Sequence, residues 1–150
     1  MIEKIRYHTV WKITKSDKNG IYEVMEFEGN LLLNEGIAAW SDGGLTTYTN
    51  GATYIGVGDS DTAAAATQTG LQAASNKAWA GMNATYPSRT AQTVTFQATF
   101  ATDEANFAWN ELSIGLADDD SGANLNRKVQ AMGTKALGTA WTVDCAITFS

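Results

Sequence analysis

The chain has 150 residues, enough for one ordinary domain and too few for two independent hydrophobic cores. Its formal charge of -6 repels phosphate backbones and anionic lipid heads, so nucleic acid and membrane surfaces are poor partners. Only 17% of residues are charged against 44% hydrophobic, so much of the surface must be neutral and polar, which suits packing against other protein. No stretch approaches the roughly 20 apolar residues of a membrane-spanning helix, and the alternating charges after Met1 do not read as a leader. Synthesis in the cytoplasm is expected. The lone cysteine, Cys145, cannot close an internal disulfide.

Residues 5–14 put Ile5, Tyr7, Thr9, Trp11 and Ile13 on one face and Arg6, His8, Val10, Lys12 and Thr14 on the other, the period of a strand. A turn composition follows at 16–20, and 21–28 resumes an extended pattern, so residues 1–28 read as an N-terminal hairpin or docking arm. Asn30 is placed to cap a short helix bearing Leu32, Leu33, Ile37 and Trp40, stopped by Gly43 and Gly44. Residues 54–58 form a brief glycine-bounded strand, and the Ala/Thr-rich stretch 62–74 is helix or ordered loop. Clear alternation returns at 93–101 and from Trp141 to Phe149, with further strands expected at 107–116 and 125–132 about an Asp/Ser/Gly turn at 118–122. The sum is a single, mainly β domain over 1–150, an antiparallel β-sandwich, jelly roll or related fold with one or two short helices.

The chain is poor in catalytic side chains: it has one histidine, His8, on the charged face of the first strand, and one cysteine, on the apolar face of the last. Gly56-Val57-Gly58 lacks the third glycine and the following acidic residue of a dinucleotide fingerprint. Asp59, Asp61, Asp103, Glu104 and Asp118 to Asp120 include no EF-hand pattern, leaving only a loose surface calcium site, and no pair stands out as glycosidase carboxylates. No cofactor or metal is expected. Of the five tryptophans, Trp11, Trp109 and Trp141 fall on apolar strand faces and read as core or interface in preference to a sugar platform. Glu111 lies in a run apolar enough to be buried. Arg127 or Lys128 in the next strand can supply its partner, making a structural ion pair and not a general acid.

Several segments taken in order are more specific than any alone: the run from Gly29 to Ile37 (GNLLLNEGI), Tyr54 to Ser60 (YIGVGDS), Thr69-Gly70-Leu71, Ala105 to Glu111 (ANFAWNE) and Leu125 to Val129 (LNRKV). This arrangement resembles a group of small virion proteins of tailed bacteriophages, from about Gly29 to the C-terminus. The resemblance implies a structural part of the virion, present in the host cytoplasm during assembly, and supplies no catalytic residue. A compact chain without shaft repeats favours a capsid decoration, or cement, protein bound to the major capsid protein or other virion proteins. A tail-fibre, baseplate or neck component is the first alternative, followed by a carbohydrate-binding module and a small carboxylate hydrolase. A symmetric homo-oligomer, a trimer first, is expected from the threefold positions such subunits occupy and from five tryptophans, more than one core accounts for. Arg6, His8, Lys12 and Lys15 are the expected docking surface.

Overall fold

The computed structural model describes residues 6–43 and 48–150. The expected starting residue of the first strand, Ile5, and the second helix-stopping glycine, Gly44, lie outside the described residues. The chain forms two five-stranded antiparallel sheets packed as a sandwich.

The first sheet contains β1 (Tyr7–Asp17), β2 (Gly20–Glu28), β6 (Ser88–Thr90), β7 (Thr93–Phe100) and β10 (Ala140–Phe149), in the order β2-β1-β10-β7-β6. The second contains β3 (Leu31–Leu32), β4 (Tyr54–Gly58), β5 (Lys77–Gly81), β8 (Ala108–Gly115) and β9 (Asn126–Thr134), in the order β3-β9-β8-β4-β5. The hairpin is therefore not an appendage. β1 pairs with β10 over ten residues, from Tyr7 opposite Phe149 to Ser16 opposite Ala140, and it delivers Trp11 and Ile13 to the core.

Strand alternation builds that core directly. Trp11 and Ile13, then Val94, Phe96, Ala98 and Phe100, then Trp141, Val143, Cys145 and Ile147 project from the first sheet, and meet Ile55, Val57, Trp109, Leu112 and Ile114 from the second. Trp109 sits at the centre, edge-on to Trp141 at 4.7 Å and to Phe100 at 5.0 Å between ring centroids. Its indole N–H donates to Ala105 O at 3.0 Å, and that of Trp141 donates to the Tyr22 hydroxyl at 2.9 Å. Trp40 packs edge-on against Phe149, and the Trp79 ring lies over Gly56 and Gly115. All five tryptophans thus find places within one subunit, and their number gives no reason to expect an oligomer.

The helix differs from expectation. Asn30 does not cap it, because Leu31 and Leu32 pair with Arg127 and Asn126 as β3, a two-residue edge strand. The helix α1 runs over Asn34–Gly43. Tertiary pairing with β9 overrides the local cap signal here, which is the usual fate of a weak propensity. β5 and β6 carry no sequence period: they are short, and in β5 Trp79 is the lone large apolar residue. The stretch 62–74 is irregular and contains no helix.

Gly36 marks where α1 meets the second sheet. A Cβ there would stand 2.3 Å from Leu125 Cα and 2.5 Å from Asn124 O, so helix backbone rests on strand-connecting backbone. Helix propensity alone makes Gly→Ala favourable by about 1 kcal/mol. Overpacking against immovable main chain reverses the sign, and Gly36→Ala is expected to lower stability by about 1–3 kcal/mol in urea unfolding. An unchanged or raised midpoint would contradict this packing.

Candidate functional site

Two polar features stand apart from the apolar core: a buried ion pair on the outer face of the second sheet, and the exposed hairpin at one edge of the first. The register between β8 and β9 shifts between Trp109 and Glu111. This bulge changes the parity of β8, so Trp109 faces the core while Glu111 and Ser113 turn to the opposite face, and Leu112 and Ile114 return inward.

Glu111 and Arg127 are both fully buried, and Arg127 Nε donates to Glu111 Oε2 at 2.7 Å. The carboxylate also accepts the backbone N–H of Gln72 at 2.9 Å on Oε2 and that of Ala73 at 2.8 Å on Oε1. The guanidinium reaches the same loop from its other side, donating through Nη1 to Thr62 O at 2.7 Å and to Gln68 Oε1 at 3.2 Å. Loop 59–76 is therefore pinned over the sheet at both ends of one ion pair. Gly58 makes room for it, since a Cβ there would lie 2.3 Å from Glu111 Oε1. The glycines of the 54–58 strand thus accommodate Trp79 and Glu111, not a phosphate.

A second carboxylate does similar work. Glu35, in the first turn of α1, accepts through Oε1 from the N–H groups of Gly70 and Asn124, at 3.1 and 2.8 Å. The buried Ser113 hydroxyl lies 2.6 Å from Asn124 Oδ1 and 2.7 Å from Asn126 O, and Asn126 Oδ1 accepts from Ile114 N at 3.0 Å. Both oxygens of Glu111 accept from fixed donors, so the carboxylate ties loop 59–76 and β9 to β8. Lys135 is a further buried cation: its Nζ donates to Ala101 O, Glu104 O and Asn106 Oδ1 at 2.7 to 2.9 Å. Burial holds its pKa below the ordinary lysine value. No sequence signal distinguished it, or the Ser113-Asn124-Asn126 network, from surface polar residues.

On the hairpin, Arg6, His8 and Lys12 are exposed, and His8 Nε2 stands 3.7 Å from Glu28 Oε1. Lys15 is not part of that surface. It is 4% exposed, its Nζ donating to Met132 O at 2.6 Å and to Glu23 Oε1 at 3.1 Å while lying 4.2 Å from the Trp141 ring centroid. The cause is parity: Lys15 shares its face with Trp11 and Ile13, and that alternation was readable in the sequence. Its stem packs in the sandwich and its ammonium is satisfied at the rim.

β2 is exposed along nearly its whole length, with Ile21 68%, Tyr22 49% and Val24 51% accessible. Among the described residues no strand pairs with its outer side. Glu26 and Glu28 pair in register with Lys12 and Val10, on the face turned from the core, while Met25 and Phe27 pack partly against the core. The outer face of the first sheet beyond the hairpin is hydroxyl-rich, with Thr93 against Thr148 at 2.7 Å and Thr99 against Thr142 at 2.9 Å, and carries Asp144, which accepts from Gln97 Nε2 at 2.8 Å.

The other candidates scatter. Cys145 is fully buried in β10, where burial pushes its thiol pKa up, and it sits opposite Trp11, away from the exposed His8. Asp59 accepts from Asn76 Nδ2, Asp120 pairs with Lys77, Asp119 is held by Ser121, and Glu104 accepts from Ala101 N. Among the described residues no three histidine, cysteine or carboxylate side chains gather around a common point.

Glu111→Ala strands a buried guanidinium and two loop N–H groups, so it is expected to cost about 3–5 kcal/mol, more than the about 1–3 of an ordinary buried polar loss. Glu111→Leu combined with Arg127→Met should recover a substantial part of that loss. Denaturant unfolding of the two single variants and the pair measures the coupling. A Glu111→Ala variant as stable as wild type would show that the clamp contributes nothing.

No family model matches this chain, and no curated protein or solved structure does either, so its own residues are the ground for a functional reading.

Proposed function

We propose that this protein is a non-enzymatic structural subunit of a tailed-phage virion, a capsid decoration protein that docks on preformed heads through the outer hairpin of its first sheet. The observation that carries this reading is the exposed β2 strand, nine residues long, with Ile21, Tyr22 and Val24 open to solvent at a sheet edge. Edge strands of natural sheets are blunted by lysine, proline or cover, because unpaired N–H and C=O groups invite another chain. β2 has neither residue type, and its guards are three glutamates and the register shift opposite Lys15 and Ser16, which leave Ile21, Tyr22 and Val24 uncovered. Exposed apolar side chains beside an open edge mark a protein contact.

The second sheet supports the reading from the other direction. Its outer face is covered by loop 59–76 and Trp79, held by the Glu111–Arg127 clamp, so the segments that carry the resemblance serve the fold. Contact with a capsid is left to the first sheet, where His8 and Lys12 lie beside the acidic end of β2 and Ile21 and Val24 form its apolar end. A subunit that binds only the assembled shell stabilises that shell by its binding free energy, multiplied over many copies.

Purified protein added to heads lacking it is expected to bind saturably and to raise their melting temperature. The double variant Ile21→Lys with Val24→Lys, at positions too exposed to affect folding by more than about 0.5 kcal/mol, should bind at least tenfold more weakly. Binding confined to tails would instead favour a fibre, baseplate or neck component, and wild-type binding by the double variant would move the contact off β2.

The trimer belongs to the same proposal and rests on the threefold positions of such particles. Light scattering of the free protein is expected to give three times the chain mass, and a monomer at high micromolar concentration would count against it.

A further inference from the structure

We infer that the open edge of β2 is completed by an extended strand of another protein, and that this strand carries basic side chains beside Glu26 and Glu28. This rests on the docking role proposed above and names the chemistry of the docked segment.

The edge has two unlike faces. Toward the sandwich, Tyr22, Met25 and Phe27 are only partly covered, Met25 and Phe27 already pack on the core, and Glu23 among them is neutralised by Lys15. A sixth strand beside β2 would extend that core with apolar side chains of its own. Away from the sandwich, Ile21 and Val24 occupy one end of the strand and Glu26 and Glu28 the other, as their pairing with Ser16, Thr14, Lys12 and Val10 shows. The matching strand is therefore apolar on its inner face. On its outer face it is apolar beside Ile21 and Val24 and basic beside the two glutamates.

Charge argues against a second copy as the occupant. β2 holds Glu23, Glu26 and Glu28 and no basic residue. Lys15 engages Glu23, and His8 stands near Glu28, while Glu26 has no ion-pair partner among the described residues. Two such strands in parallel would bring acid against acid, and antiparallel over their full length they would set the acidic end of each beside the apolar end of the other, so that neither end meets its match. The protein as a whole is also negative, at -6, so a basic segment is drawn toward it. Main-chain hydrogen bonds along the edge supply affinity, and the alternate side chains supply selectivity.

The test uses the full chain and two synthetic peptides of about nine residues, the length that β2 can pair. Both carry valine on the inner face and at the outer sites beside Ile21 and Val24. One has lysine and the other glutamate beside Glu26 and Glu28. Amide hydrogen exchange read residue by residue is expected to show β2 amides slowed by the lysine peptide, with about tenfold tighter binding than the glutamate peptide, the combined effect of two favourable pairs replacing two unfavourable ones. The variant Glu26→Lys with Glu28→Lys, altered at exposed positions and checked for an unchanged melting point, should reverse the preference. Equal binding of both peptides, protection elsewhere than β2, or no protection at all would overturn the inference. So would β2 protection that grows with protein concentration in the absence of peptide, which would identify a second copy as the occupant. Failure of head binding with the peptide preference intact would sink only the proposed function, whereas head binding by a protein whose β2 ignores both peptides would sink only this inference.

Discussion

The ion pair between Glu111 and Arg127 is the constraint on which the arrangement of this protein turns. Two opposite charges with no solvent access are costly to bury, and only further hydrogen bonds make the site tolerable. The chain supplies most of those bonds from loop 59–76, two N–H groups for the carboxylate and a carbonyl and an amide oxygen for the guanidinium, and leaves Arg127 Nη2 without a partner among the described residues. Breaking the loop away would cost the two charges these four bonds, which couples the loop to the sheet. A segment of Ala, Thr and Gly with little apolar area of its own is in this way made part of the structure.

One consequence is an asymmetry between the two sheets. The second is sealed on its outer side, by the clamped loop, by the Trp79 ring on Gly56 and Gly115, and by α1 resting on residues 124 and 125 through Gly36. The first ends in open strands, with hydroxyl pairs across its centre and an uncovered apolar and acidic edge at β2. Cover is concentrated on the second sheet and accessible apolar surface at the β2 edge of the first.

Much of this was legible in the residues. Strict alternation located β1, β7 and β10, and an ionisable residue inside an apolar run identified Glu111 as buried with Arg127 among its partners. Where the reading failed, a physical reason is visible. Lys15 is a surface cation by residue type, but its parity with Trp11 and Ile13 places it inside. Asn30 carried a cap signal that pairing of Leu31 and Leu32 with β9 overrode. Lys135, Glu35 and Asn124 gave no local signal, because each is satisfied by groups distant in sequence, Glu35 by residues 35 and 89 positions away. The glycines at 56 and 58 were seen, but their purpose lies in side chains that pack on them from Trp79 and Glu111.

The most direct test of the clamp as an architectural element is native-state hydrogen exchange at Gln72 and Ala73, the two loop amides donated to Glu111. If the ion pair makes loop 59–76 part of the cooperative structure, these amides exchange only with global unfolding, at the same opening free energy as the amides of β8. Rapid exchange at Gln72 and Ala73 while β8 stays protected would show a loop that opens by itself, and would contradict the account.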